Sequence, residues 1–274
     1  MRKIPVIVGS TLLMFLSSCS EENLLLPSEE QTVVEAYLYA NQSTQSLDLS
    51  ASYPIDTAAR SNAPISDAVV TVLKNGASYR FTLAADVPGR YRYTGSNLKV
   101  QAGDAFSLRV ERAGAVITSS TTVPPPPSSV RISADTMKFT EETITTPFGS
   151  RILLRSSGEL TVCWVNTSQN YYYMTVEPID PGRQPLQLDS IPRVFQFVSR
   201  PSLGDSARIS DAQISYTGRH RVRIYRVNKE YADLFLSREQ DSRQLNEPLT
   251  NIDNGLGIFT AVNSDSVFFT VVRK

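Results

Sequence analysis

The chain has 274 residues, 27 of them basic and 27 acidic, with 41% hydrophobic residues and two cysteines. The charges balance and no basic block stands out, so no nucleic-acid partner is expected. The hydrophobic share is enough for folded cores and excludes a disordered chain, and the length allows one large or two ordinary domains.

Arg2 and Lys3 precede Ile4 to Ser18, an uncharged run of apolar and small residues. The run is shorter than the roughly 20 apolar residues that span a bilayer core. A positive start followed by a short apolar stretch is the pattern of a secretory signal. Its end, Leu16-Ser17-Ser18-Cys19, resembles the lipobox of bacterial lipoproteins, which implies a signal peptide over 1–18 and lipid on Cys19. Ser20-Glu21-Glu22 resembles the lipoprotein export signal of Bacteroidota, which implies transfer to the outer face of the outer membrane. Each buried CH2 of an acyl chain adds about 0.8 kcal/mol, so several chains on one cysteine anchor stably. The expected address is the outer membrane, held through the N-terminal lipid and facing the cell exterior. Cleavage leaves 25 basic and 27 acidic residues, and Cys163 without an intramolecular disulfide partner. In Thr161-Val162-Cys163-Trp164 that thiol reads as a small buried hydrophobe.

Residues 19–30 read as a polar tether. From residue 31 the pattern turns to period two, with Val34, Ala36 and Leu38 against Glu35, Tyr37 and Tyr39. Leu47 to Ala51, Ala68 to Leu73, Tyr79 to Leu83, Tyr91 with Tyr93, Phe106 to Val110 and Val116 to Thr122 follow as short strands. Asn75-Gly76, Pro88-Gly89 and Ala113-Gly114 mark the turns between them. About seven strands at this spacing predict a β-sandwich over 31–123. Pro124 to Pro127 with Ser128 and Ser129 predicts a stiff linker, 124–129, because four prolines cannot join a sheet ladder.

A second strand-rich domain is expected over 130–274. Leu160, Val162 and Trp164 share a face, and Tyr171 to Val176 reads as a buried strand. Phe195 and Phe197 alternate with Val194, Gln196 and Val198. Arg219, Arg221 and Arg223 line the face opposite His220, Val222 and Ile224. One helix near 229–241 is expected, capped by Asn228 and carrying Tyr231, Leu234, Phe235 and Arg238 at helical spacing. Val267 to Val272 closes the chain. The fold class is thus all-β, two β-sandwich domains of immunoglobulin-like or transthyretin-like type in series, with one short helix in the second.

Several segments together resemble a Bacteroidota family known as domain of unknown function 4249. They are Val33 to Tyr37, Pro64 to Val72, Gly89-Arg90-Tyr91, Gly103 to Leu108 and Val123-Pro124. The most specific are Asn228-Lys229-Glu230-Tyr231 and Asn251 to Phe259. The resemblance implies an outer-membrane lipoprotein, often encoded beside a TonB-dependent receptor. It implies no activity and transfers no catalytic residue.

The residues themselves supply no GxSxG, HExxH, Walker A or GxGxxG motif. No catalytic, metal or cofactor residue is therefore assigned, and the expected class is non-catalytic. His220 is the single histidine, too little for a histidine-built metal site or triad. Ser96-Asn97-Leu98-Lys99 spells S-x-x-K but lies between strands, not at a helix start. Asn251 to Gly257 lacks the alternating acids of a calcium loop and reads as a turn. The arginine face could meet an anionic partner, against which stands an ordinary solvated sheet face. Five sites resemble the O-glycosylation acceptor of Bacteroidota, Asp followed by Ser or Thr and a small or apolar residue. They place the acceptor hydroxyl on Thr57, Thr136, Ser190, Ser206 and Ser266, all expected in loops or at strand ends. The functional expectation is an accessory partner of a TonB-dependent transport system, its ligand unknown. The alternatives are a surface glycan-binding or adhesive module, which needs exposed coplanar aromatics, and a hydrolase of unfamiliar motif, which needs clustered carboxylates.

Overall fold

The computed structural model describes residues 30–52, 63–146, 149–186, 196–237 and 249–274. The signal segment, Cys19, Ser20, Glu21, Glu22, Thr57 and Ser190 lie outside these residues. The first sandwich holds β1 (Gln31–Tyr39), β2 (Ser46–Ser52), β3 (Ala63–Pro64), β4 (Val69–Lys74), β5 (Ala77–Leu83), β6 (Arg90–Arg92), β7 (Ala105–Arg112) and β8 (Ala115–Thr122). Strands β1, β2, β3 and β6 make one layer, and β5, β4, β7 and β8 the other. Strand β5 links the layers, pairing with β4 through Ala77–Phe81 and with β6 through Thr82 and Leu83. Period two holds along β1, where Val34, Ala36 and Leu38 are buried against Leu47 and Leu49 of β2 and Val70 and Leu108 of the facing layer. Each of these valine and leucine side chains contributes roughly 1.5–3 kcal/mol through burial. Asn75 and Gly76 both have positive φ, 49° and 80°, which makes the tight hairpin turn expected of that dipeptide.

The rest of the chain adds β9 (Ser128–Ile132), β10 (Thr136–Thr146), β11 (Gly149–Ser156), β12 (Leu160–Val165), β13 (Tyr171–Pro178), β14 (Phe197–Val198), β15 (Ser206–Ile209), β16 (Gly218–Val227), α1 (Lys229–Ser237) and β17 (Leu256–Arg273). One layer of the second sandwich runs β14-β13-β16-β17-β10-β11, the other β15-β12-β9. Val162 and Trp164 face Met174, Ile224 and Phe269 across its core. The fold is all-β with one short helix, as the alternation implied. Helix α1 ends at Ser237, and residues 238–241 of the expected helix lie outside the described residues. Cys163 is half-buried on the face of β12 opposite Val162 and Trp164, so it is not the core residue the sequence suggested.

The expected division at 130 needs one change. Strand β17 has 18 residues and, at about 3.3 Å per residue, runs about 60 Å. From Leu256 to Val262 it pairs in parallel with β1, and from Val262 to Val271 it pairs antiparallel with β16. Ile252, Phe259 and Ala261 are buried in the first core, so the C-terminal segment completes the N-terminal sandwich. The proline run is not a free spacer either. Pro124 and Pro127 are buried, and the buried Asn263 amide of β17 donates to the Pro124 carbonyl at 3.0 Å.

His220 sits inside the second sandwich, stacked on Phe269 with ring centroids 5.1 Å apart, its Nδ1 3.0 Å from the Gly218 carbonyl oxygen. Burial lowers its pKa below the ordinary 6.5, partly offset by the Gly218 carbonyl and by Asp180. Below pH 6.5 the unfolded chain takes up a proton that the folded chain resists, so acid favours unfolding. This contribution to stability is complete above pH 6.5 and is lost as pH falls from there toward the lowered folded value. Urea midpoints measured from pH 7.5 down to 5 should fall in the wild type and fall less in His220→Gln. Parallel profiles would refute the assignment.

Candidate functional site

The site is assembled at the seam between the sandwiches, where two loops meet the edge of β8. Thr121 of β8 is its centre. Its Oγ1 accepts from the Asn228 amide at 3.1 Å and from the Ala261 backbone N–H at 3.2 Å, and lies 3.3 Å from the Glu230 carboxylate. Glu230 also accepts from Thr260, which is fully buried in β17. Asn228 precedes α1 and spends its amide on β8, donating to the Thr122 carbonyl as well, at 2.9 Å. On the other side, the Asn251 side chain brackets Phe259, donating to its carbonyl and accepting from its N–H. Ser119 donates to the Asn251 carbonyl at 2.6 Å.

Among the described residues these contacts leave a gap along the edge at Ser120. Thr118 exchanges both backbone hydrogen bonds with Asp253, so the even-numbered residues of β8 turn their backbone away from β7. The Val116 carbonyl is taken by Asn254 and the Thr122 carbonyl by Asn228. Ser120, between them, directs its N–H and C=O into a cleft of about 560 Å³. Phe106, Ser107, Asn228, Lys229, Glu230 and Asn251 line it, and a second cleft of about 470 Å³ continues it along Arg109 and Asp253. The chemistry on offer is recognition: two backbone hydrogen bonds to one residue of an extended chain, flanked by amides and hydroxyls.

Behind the seam, α1 covers a cluster of tyrosines on the outer face of the large sheet. Tyr173 stacks on Tyr225 at 4.6 Å and on Tyr231 at 5.3 Å, and Tyr231 meets Tyr37 edge-on at 6.1 Å. Burial, then the neighbouring tyrosine hydroxyls, push the Tyr173 and Tyr39 pKa values well up, so both hydroxyls stay protonated. These near-coplanar rings stack on one another and not on solvent. Among the described residues Phe268 is the one exposed aromatic, and the Arg219 guanidinium lies 4.5 Å over its ring. Among the same residues no three of His, Cys, Asp and Glu are grouped to hold a metal.

The structure scatters the other candidates. Thr136 opens β10 and Ser206 opens β15, each hydroxyl bonded to the preceding aspartate. Ser266 lies in the middle of β17 opposite Arg223, which corrects its expected place at a strand end. Ser96 and Lys99 line a separate cleft of about 430 Å³ at the end of the first sandwich nearer the second.

Asn228–Tyr231 and Asn251–Phe259, 106 and 132 residues beyond their partners on β8, therefore converge on one strand edge. The family model for Domain of unknown function (DUF4249) matches residues 21–267, which includes both. The chain belongs to the DUF4249 family. No curated protein matches it. Among solved structures, the DUF4249 chain is similar to the chicken CNTN1 FN1–FN3 domains, with 11% identity over 88% of this chain and 67% of that one and a TM-score of 0.28. It is also similar to Titin-A168169, with 9% identity over 89% of this chain and 98% of that one and a TM-score of 0.24.

Proposed function

We propose that the chain is a non-catalytic, lipid-anchored accessory protein of the outer membrane, facing the cell exterior and serving as binding partner of a TonB-dependent transport system. The Leu16–Cys19 lipobox pattern and the Ser20-Glu21-Glu22 tract support the address. The observation that carries the reading is where the tether leaves the fold. Glu30 pairs with Arg112, which also holds Asp67 at 3.0 Å, so the chain enters β1 at the β7–β8 turn. That is the Leu256 end of the first sandwich, opposite the end where β17 passes into the second. Seven residues of β1 separate the two ends, about 23 Å. A lipid on Cys19 then sets the first sandwich beside the bilayer and turns the second outward. The β8 cleft, with a backbone pair unclaimed among the described residues, offers an extended segment of the partner a docking point.

Gentle solubilisation of outer membranes and affinity capture should recover the protein together with a transporter. Recovery free of any transporter, under conditions that preserve other such complexes, refutes the partnership. Replacing Cys19 with alanine should move the protein from the membrane to the soluble fraction. Replacing Glu21 and Glu22 with alanine should keep it membrane-bound but shield it from protease added to intact cells. A wild-type protein that such protease never reaches refutes surface display and leaves lipidation standing.

A further inference from the structure

Helix α1 lies against the outer face of the large sheet at Tyr173 and Tyr225. Beyond Tyr225 that face carries Arg223, Arg221 and Arg219 on β16, flanked by Thr175 and Glu177 on β13 and by Ser266, Phe268 and Thr270 on β17. The three arginines are not equivalent. Arg221 pairs with Glu177 through two contacts, at 2.5 and 2.7 Å, and its charge is neutralised in place. Arg219 lies over the Phe268 ring at 4.5 Å, and Arg223 donates to the Tyr225 hydroxyl at 2.8 Å. Neither guanidinium meets a carboxylate among the described residues. Asp180 bonds the Arg219 backbone N–H at 3.4 Å, and Asp265 turns back on the Ser266 backbone N–H.

Hydroxyl groups flank these two arginines. Ser266 lies opposite Arg223, and Thr270 opposite Arg219. Thr175 is the other neighbour of Arg223, and it is 4% exposed. Its Oγ1 has no hydrogen-bond partner among the described residues, a polar atom taken from water without compensation. The strip is therefore rich in donors and poor in acceptors, with two forked cations at its ends and a neutral pair between them.

We propose that this strip is an anion-binding surface for a saccharide bearing two phosphate groups. Arg219 and Arg223 are four residues apart on β16, so their backbones stand about 13 Å apart. Each fork matches the geometry of a phosphate. The neutralised middle suits two separated dianions joined by an uncharged body better than a continuous polyanion, for which an unbroken row of charge would serve. The hydroxyls of Ser266 and Thr270 supply the remaining donors that phosphate oxygens take up, while the buried Thr175 hydroxyl lies out of reach beneath them.

Titration calorimetry on the full mature protein in detergent, at about 50 mM salt, tests this with a disaccharide phosphorylated at both ends. Binding at least tenfold tighter than to the singly phosphorylated or unphosphorylated sugar is expected. Arg219→Gln and Arg223→Gln should each weaken it tenfold or more, the scale of a hydrogen bond to a charged group. Arg226→Gln, on the alternate position of the same strand, should leave it unchanged. Thermal melts of the same samples show whether each variant is folded, and Arg223→Lys, which keeps charge without the fork, should bind with intermediate strength. Equal binding of the unphosphorylated sugar, no binding at all, or full affinity in the folded arginine variants overturns the proposal. So does equally strong binding to an oligonucleotide or to vesicles of anionic phospholipid, which would make the strip a general counterion surface.

Discussion

Replacing Gly257 with alanine is expected to be the most damaging small change in the first sandwich. Its φ is +101°, and an added Cβ would lie 2.0 Å from the Val34 carbonyl oxygen and 2.9 Å from the Val34 carbonyl carbon. Those atoms are backbone of β1, and Val34 itself is fully buried in the first core. The strand cannot retreat without opening the core behind it, nor can β17 tilt away, because Thr250 holds the Gly257 carbonyl at 2.9 Å. Backbone strain at such a position costs about 1–3 kcal/mol, and forcing extra atoms into packed surroundings costs about 1–3 kcal/mol more. Against a total stability of about 5–15 kcal/mol, the variant should lose a third or more of it. Gly76→Ala is the matched control. Its φ is +80°, but nothing lies within 4 Å of the added carbon, so only the strain is felt. Urea midpoints that fall equally in both variants would show that Val34 yields, and the close approach would lose its meaning.

Gly257 also marks where sequence reasoning stops. The alternation of Val34, Ala36 and Leu38, the Asn75-Gly76 turn and the shared face of Arg219, Arg221 and Arg223 are local, because side-chain period and turn chemistry need only a few neighbours. Strand β17 defeats the same rule. Residues 258–263 are buried without a break, because one face meets the first core while Thr260 on the other meets Glu230 beside α1. A strand covered on both sides shows no alternation, and its parallel partner β1 lies more than two hundred residues away. Only Val267 to Val272, which alternates into the second core, reads as a strand. The seam was half legible in the same way. Asn228–Tyr231 and Asn251–Phe259 stand out as segments, but that both are spent on Thr121, Ser119 and the edge of β8 is a property of the closed fold. Proline chemistry misled for a related reason. Pro124 cannot donate, yet its carbonyl can accept, and Asn263 uses it.

The strongest consequence of the shared strand is that the first sandwich should not fold from the N-terminal residues alone. A fragment spanning 30–127 keeps every strand of the first sandwich that precedes the proline run. It lacks Ile252, Phe259 and Ala261 from the core, and it leaves Val33 to Tyr39 of β1 without their parallel partner. An exposed seven-residue edge and a gap where Phe259 belongs are more than a domain of this size tolerates. The fragment should show collapsed amide dispersion by NMR and gain native dispersion when a peptide covering 249–264 is added. In the intact chain, Phe259→Ala should cost about 3–5 kcal/mol, the usual penalty for emptying a phenylalanine site. Trp164, the single tryptophan, makes that loss a test of coupling, because it lies in the second core while Phe259 lies in the first. If β17 and the packed proline run bind the sandwiches into one cooperative unit, the midpoint reported by Trp164 fluorescence should fall together with that reported by far-ultraviolet dichroism. A Trp164 transition that stays at its wild-type midpoint in Phe259→Ala, or a 30–127 fragment that folds unaided, would mean that each sandwich stands by itself and that β17 merely passes between them.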